Sequence, residues 1–226
     1  MTSKLWYLKQ IDLFSELSDQ EIQEIASLSR MEAVKKGEFI YFPDDPSDSV
    51  YLLKEGRVKV SRLSEDGREV TLAILRPGEL FGELALADEG PRETIAEAID
   101  DSLLCVINKA DFERTIKGRP GLALKVFKLV GLRLRRLETK VEELVFRNVP
   151  SRLAQLLIRL AKEYGRPSQD GTILGLSLSH RELANLVGST RETVTLVLND
   201  FRKQGIIEIY RRRILIKKEL EKIAQI

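Results

Sequence analysis

The sequence predicts an α+β protein with three parts: an N-terminal antiparallel β-roll, a long helix, and a C-terminal winged helix-turn-helix. Three observations predict it. Between Ala33 and Ile107, short β-branched and aromatic runs alternate with turn residues. From Gly121 to Phe146, a proline-free stretch repeats apolar residues at heptad spacing. The segment SLSHRELANLVGSTRETVTLVLNDFRKQGIIEI holds two short amphipathic stretches around a small-residue turn. The boundaries follow as residues 1–120 for the roll, 121–146 for the helix and 147–226 for the C-terminal domain.

The elements can be justified in order. Residues 10 to 30 read as helical, with Ser18 before DQEIQEIASL and Glu21 completing a capping box. Strands follow in EFIYF, SVYLL, GRVKVSRL, EVTLAIL, TIAEAI and LLCVI. Gly37, Asp44-Asp45-Pro46, Gly56, Asp66-Gly67, Pro77-Gly78 and Asp100-Asp101 separate them. Asp66-Gly67 between two alternating runs is a hairpin signal.

The long helix would span roughly 39 Å at ~1.5 Å per residue. Ala123, Phe127, Val130, Leu134, Leu137, Val141 and Leu144 fall at steps of 4, 3, 4, 3, 4 and 3. A seam of that length fits a parallel dimer better than packing on its own domain, so Phe127, Val130, Leu134, Leu137, Val141 and Leu144 are expected at a homodimer interface. Pro150 then breaks the pattern and marks a hinge or boundary.

From Ser151 the order reads helix (SRLAQLLIRLAKEY), loop (GRPSQDG), short strand (ILGLSL), helix, turn, helix, hairpin. Ser179 is an N-cap with Glu182 three residues on, and Leu183, Ala184 and Val187 make one apolar face. Gly188 supplies the turn, and Ser189 or Thr190 caps the second helix. Val194, Val197, Leu198 and Phe201 form the buried face of that helix, while Arg191, Glu192 and Thr195 lie away from it near its start. Arg can grip guanine with two bonds and Glu can accept from cytosine N4. Helix starts and hydroxyls hold phosphates, which adds Ser179, His180, Ser189 and Thr190 to the expected DNA contacts. Arg211, Arg212 and Arg213 lie at a hairpin tip, where a wing would meet a phosphate backbone or minor groove.

Charge points the same way. From Asn148 onward there are 14 Lys/Arg against 8 Asp/Glu, while the remainder holds 23 against 27, within a net charge of +2. With 226 residues, 43% apolar and 32% charged, the chain reads as soluble and globular. No apolar run approaches the ~20 residues that span a bilayer, and the start MTSKLWYLKQIDLF has no signal-peptide pattern. The cytoplasm is therefore the expected location, with no membrane partner. Cys105, alone in LLCVI, reads as a packed strand residue. One cysteine and one histidine, His180, leave no donor set for a metal, haem or iron–sulfur cluster, so no cofactor is expected. No P-loop or nucleophilic triad is found, which argues against an enzyme.

A β-rich domain carrying FGELAL and PR, a long helix, and GSTRETV in a winged helix-turn-helix resembles the CRP/FNR family. The resemblance covers nearly the whole chain, with the two motifs about 100 residues apart. It implies a homodimeric transcription regulator, an activator in contact with RNA polymerase, bound to a palindromic operator in double-stranded DNA. It implies that Arg191 and Glu192 read inner G·C pairs of each half-site, whereas Leu196 stands where the cyclic-AMP receptor protein has a further arginine. It also implies an effector pocket resembling a cyclic-nucleotide site. There Gly82, Glu83 and Leu84 form the turn, Glu83 accepts from a ribose hydroxyl, and Arg92 pairs with the cyclic phosphate.

Two positions depart from that pattern. Glu93 replaces a Ser or Thr donor; a carboxylate about 4 Å from a phosphate costs ~4 kcal/mol at an effective dielectric of ~20. Leu137 and Glu138 fall where adenine is read by hydroxyls, and Leu137 cannot hydrogen-bond a purine edge. The expectation is that Glu93 disables the pocket and that Arg92 is held by Glu93 or another acid. Three outcomes stay open: no small-molecule effector, a different effector, or a cyclic nucleotide after all. A second class of function is a ligand-sensing module that controls a partner protein instead of DNA.

Overall fold

The computed structural model describes residues 8, 11–86, 90–210, 213–217 and 220–223, with the backbone alone at 12, 84, 85, 221 and 222. Of the expected site residues, Arg211, Arg212 and the side chain of Leu84 lie outside the described residues. The chain divides into two compact units, residues 1–135 and 136–226.

The first unit opens with a 3-10 turn, Asp12–Phe14, and helix α1, Asp19–Leu28. Ser18 caps α1 and Glu21 closes the capping box. Eight strands follow: β1 Ser29–Val34, β2 Phe39–Tyr41, β3 Ser49–Glu55, β4 Val58–Leu63, β5 Glu69–Leu75, β6 Leu80–Phe81, β7 Ile95–Ala98 and β8 Ser102–Asn108. They form two antiparallel sheets, ordered β1-β8-β3-β6 and β2-β7-β4-β5. The Asp66-Gly67 hairpin joins β4 to β5, with Leu63 opposite Glu69.

The helical expectation for residues 10 to 30 holds only over Asp19–Leu28, with a 3-10 turn at Asp12–Phe14 before it and a strand after it. SRMEAV pairs with β8 along its whole length, from Ser29↔Ile107 to Val34↔Ser102. Its burial pattern is buried at both ends and wet in the middle, so it carries no strand-like apolar run. Its partner supplies the hydrogen bonds that make it a strand.

Strands β3 and β8 are buried on both faces. Tyr51, Leu53, Leu104 and Val106 face the roll interior with Phe81, Ala96 and Val58. The alternate residues Val50, Leu52, Cys105 and Ile107 face a second cluster with Leu8, Phe14, Ile25 and Phe112. This explains the continuous apolar runs SVYLL and LLCVI. Cys105 is buried, as a packed strand residue.

Helix α2, Lys109–Lys117, leads into α3, Pro120–Phe146. One side of the first turns of α3 completes the first unit's core through Leu122, Val126 and Leu129. Lys125 also bonds Ser15 at 2.7 Å, and Arg119 bonds Glu21 at 3.0 Å. The neighbouring stripe of α3 is exposed: Phe127, Val130, Leu134, Leu137, Val141 and Leu144, with Val145 and Phe146 beyond.

In the second unit, α4 spans Val149–Tyr164 with Asn148 as its N-cap and Pro150 in its first turn. Proline lacks the N–H that a first turn leaves unbonded anyway, so Pro150 starts a helix here. The expected loop GRPSQDG is instead a hairpin, β9 Gly165–Ser168 with β10 Gly171–Leu174. Helices α5, His180–Val187, and α6, Arg191–Lys203, precede β11 Ile207–Tyr210 and β12 Arg213–Ile216. The sheet order is β11-β12-β10-β9, and a short helix α7, Leu220–Ile223, follows. One core unites Leu153, Leu157, Leu183, Val194, Leu198, Phe201, Ile207 and Leu220.

Candidate DNA-contact face and effector pocket

In the second unit the two helices of the motif are each fixed at their starts. Ser179 accepts from Glu182 N while the Glu182 carboxylate accepts from Ser179 N at 2.6 Å. Gly188 ends α5 at φ 65°, with its N–H on Ala184 O. Of the two candidate caps, Thr190 is the one used, and it accepts from Thr193 N at 3.2 Å. Glu192, three residues after Ser189, therefore closes no capping box with it. With Thr190 as cap the third helical residue is Thr193, whose hydroxyl lies 2.9 Å from that of Thr190. Ser189 sits in the turn, its N–H bonded to Ala184 O at 3.0 Å.

Arg191 and Glu192 are both exposed at the first positions of α6, and Glu192 lies opposite buried Val194, Leu198 and Phe201. Thr195 Oγ1 donates to Arg191 O at 2.8 Å and lies 2.8 Å from His180 Nδ1. A hydroxyl has one proton, so His180 Nδ1 carries the hydrogen and donates to Thr195. His180 and Thr195 thus tie the start of α5 to the first turn of α6. In the hairpin, Arg213 is exposed and Lys217 pairs with Glu208 at 2.7 Å.

Arg152 was not legible as part of this site. Its guanidinium, on α4, donates to Val187 O at 3.1 Å, Gly188 O at 3.4 Å and Arg147 O at 2.9 Å. It closes the carbonyl end of α5 and so positions the turn. Nothing local announces a contact across some 36 residues of sequence.

In the first unit, β6 ends at Phe81 and the chain turns at Gly82, φ 74°, into a 3-10 turn Glu83–Leu86. A Cβ at Gly82 would stand 2.9 Å from Arg92 Nη1 and 3.0 Å from Tyr51 Cδ2, so the close approach requires glycine. Arg92 is 5% exposed. It donates to Gly82 O at 3.1 Å and to Ser49 O, and its guanidinium lies 4.6 Å over the Tyr41 ring. Burial pushes the Tyr41 and Tyr51 hydroxyls up, against the pull of Arg92, so both stay neutral phenols.

Glu93 does not sit in this pocket. It is 68% exposed and pairs with Arg62 at 2.9 Å. Neither Glu93 nor another acid among the described residues pairs with Arg92, which corrects the expectation. The reason is backbone alternation. Arg92 exchanges backbone bonds with Asp44 and Asp45 as extended chain does, so consecutive side chains leave on opposite sides. Glu83 is nearly buried, and its carboxylate pairs with Arg133 of α3, which also donates to Leu80 O. Arg133 is a second contact that sequence reading missed. Leu137 and Glu138 are exposed on α3 and belong to the second unit, so no pocket is assigned to them.

No helix among the described residues is long and apolar enough to cross a membrane, and no group of three potential metal ligands occurs among them. A roll with a glycine–glutamate turn and buried arginine, followed by a winged helix-turn-helix, defines a sensor-type DNA-binding regulator. Residues 31–119 match the cyclic nucleotide-binding domain family, and residues 151–223 match the Crp-like helix-turn-helix domain family. The chain is 36% identical over 189 residues to the global nitrogen regulator of Synechococcus elongatus, covering 83% of this chain and 85% of that protein. It is 32% identical over 202 residues to the cyclic AMP receptor protein of Thermus thermophilus, covering 89% and 90%. Among solved structures, a CooA mutant from Carboxydothermus hydrogenoformans matches with a TM-score of 0.76 at 30% identity, over 100% of this chain and 96% of that one. The chain belongs to the CRP/FNR family of transcription regulators, whose helix-turn-helix binds DNA.

Proposed function

We propose that the protein regulates transcription as a homodimer on a palindromic operator, and that it does so without cyclic AMP. The observation that carries the DNA reading is the exposed Arg191–Glu192 pair at the capped start of α6. Arg191 grips a guanine and Glu192 accepts from a cytosine in the major groove. Ser179, Ser189, Thr190 and the helix starts hold phosphates, and His180 and Thr195 brace the two helices. Arg213, with Arg211 and Arg212, serves the wing. Residues 1–120 form the sensor-type part, 121–146 the dimerisation helix and 147–226 the DNA-binding part. RNA polymerase is the further protein partner, the role is that of an activator, and the place of action is the cytoplasm. Control of a partner protein in place of DNA is not favoured by the family.

The effector reading rests on Glu83 and Arg92. The groups that would meet a sugar hydroxyl and a phosphate are engaged within the chain, Glu83 by Arg133 and Arg92 by Gly82 O and Ser49 O. A second reading, a small anion other than cyclic AMP, has its own support. Arg92 Nε is buried with no hydrogen-bond partner, and no carboxylate among the described residues neutralises the guanidinium. A buried cation left so favours an anion.

One gel-shift series tests these points, on operator selected from random DNA. Wild type binds with no added nucleotide, and cyclic AMP strengthens binding by less than the ~5-fold at the low end of allosteric coupling. Arg191→Ala loses ~1–3 kcal/mol on the operator and little on random DNA. Dependence on cyclic AMP sinks the effector reading, and equal loss on both DNAs sinks base readout by Arg191.

A further inference from the structure

Among the described residues after Phe146, Leu196 is the one large aliphatic side chain left exposed, at 70%. Its place on α6 is specific. At about 100° per residue, Leu196 falls opposite the buried Val194, Leu198 and Phe201, one turn beyond Glu192 and beside Asn199 and Lys203. Single exposed leucines are ordinary on protein surfaces. This one lies on the face that presents Glu192, and every other exposed side chain of α6 is polar or charged.

A leucine on that face can gain only by burying its methyls against something apolar. The major groove offers one apolar group on its base edges, the C5-methyl of thymine. Leu196 lies about 6 Å along the helix from Glu192, and base pairs are stacked about 3.4 Å apart, so it reaches one or two pairs further along the groove. We propose that Leu196 is a specificity-determining residue that reads a thymine C5-methyl, one or two base pairs from the pair faced by Glu192. The inference rests on the DNA-binding reading above. It distinguishes thymine from cytosine by a methyl contact in place of a hydrogen bond. A 5-methylcytosine, which carries the same methyl, is accepted at that position.

Deoxyuridine removes this methyl and leaves base pairing intact, so it isolates the contact. The experiment uses the full-length protein on operator selected from random DNA. Each symmetric pair of thymines in the two half-sites is replaced in turn by deoxyuridine. At one such pair, wild-type affinity falls roughly three- to five-fold per half-site, the worth of one buried methyl. Leu196→Ala starts weaker and does not respond to the replacement at that pair. Being exposed, Leu196 can be truncated without disturbing the core. Placing 5-methylcytosine opposite guanine at the same position restores more wild-type affinity than cytosine does. The proposal is overturned if deoxyuridine costs under about two-fold at every position, or if Leu196→Ala loses as much as wild type. Binding of all DNA sequences alike, or of none, fails the DNA-binding reading itself and the proposal with it.

Discussion

Gly188 carries two separate demands. Its φ of 65° lies in the left-handed region, and a Cβ there would stand 3.0 Å from Leu144 Cδ2. The left-handed conformation costs a residue with a side chain about 1–2 kcal/mol, and the contact adds to it. Gly188→Ala should therefore lower stability by about that amount or more in denaturant melts. Adding Leu144→Ala should recover only the steric part, and a full recovery would assign the whole cost to crowding. Arg92 and Glu93 teach a related lesson. As neighbours on paper they look like an ion pair, yet one is 5% and the other 68% exposed. Adjacent residues of extended chain face opposite ways, so Glu93 found Arg62, on β4, instead. Glu93→Ser should accordingly leave the Arg92 pocket and its ligand affinity almost unchanged.

At the scale of elements, the outer sheet holds a three-residue network across β5, β4 and β7. Lys59 Nζ lies 2.8 Å from Glu69 and 2.7 Å from Glu97. Burial alone would lower the Lys59 pKa, but hydrogen bonds and charge from Glu69 and Glu97 outweigh it and raise the pKa above 10.5. A raised folded-state pKa means stability that is full below the unfolded value and is lost as pH rises through the folded one. Lys59→Met leaves two carboxylates facing each other and should cost about 1–3 kcal/mol near neutral pH. The difference in melting temperature between wild type and Lys59→Met should hold steady from about pH 8 to about pH 10 and narrow only above about pH 10.5, as Lys59 loses its proton, and a difference that stays constant through that higher range would deny the pairing its role. The strands that carry this network were legible because alternation and Asp66-Gly67 are local signals. Strand β1 was not, because Ser29–Val34 has no periodic apolar face and takes its form from the β8 edge. The β9–β10 hairpin hid for a like reason, since GRPS offers β8-like apolar residues nowhere and pairs only through its backbone.

At the scale of the molecule, α3 shows two adjoining stripes. Leu122, Val126 and Leu129 complete the first unit's core, while Phe127, Val130, Leu134, Leu137 and Val141 remain exposed at heptad spacing, Phe127 by 74%. Exposed apolar residues in such a row mark an interface, and the seam supports a parallel dimer. Val130→Asp with Leu134→Asp should turn a dimer into a monomer in sedimentation runs, because unpaired charges in a buried seam are costly. The same double variant should lose most operator affinity, since two recognition helices must meet half-sites about 34–36 Å apart. A wild-type monomer at micromolar concentration would end the dimer reading.

The sequence by itself determined what depends on short-range chemistry. Caps, turns, alternation and heptads are set by residues within a few positions of one another, so Ser18, Ser179, Gly188, the Asp66-Gly67 hairpin and the α3 seam could be read directly. The exposure of Arg191 and Glu192 was legible from their place at the start of the second helix, whereas that of Leu196 came from the structure. Only the tertiary structure decided which charges meet. Arg133 reaches Glu83 from a helix 50 residues on, Arg152 reaches the turn at Val187 and Gly188, and Arg92 ends among tyrosine rings and carbonyls. A long side chain chooses its partner by distance in space, and distance in space is a property of the packed core, not of neighbouring letters.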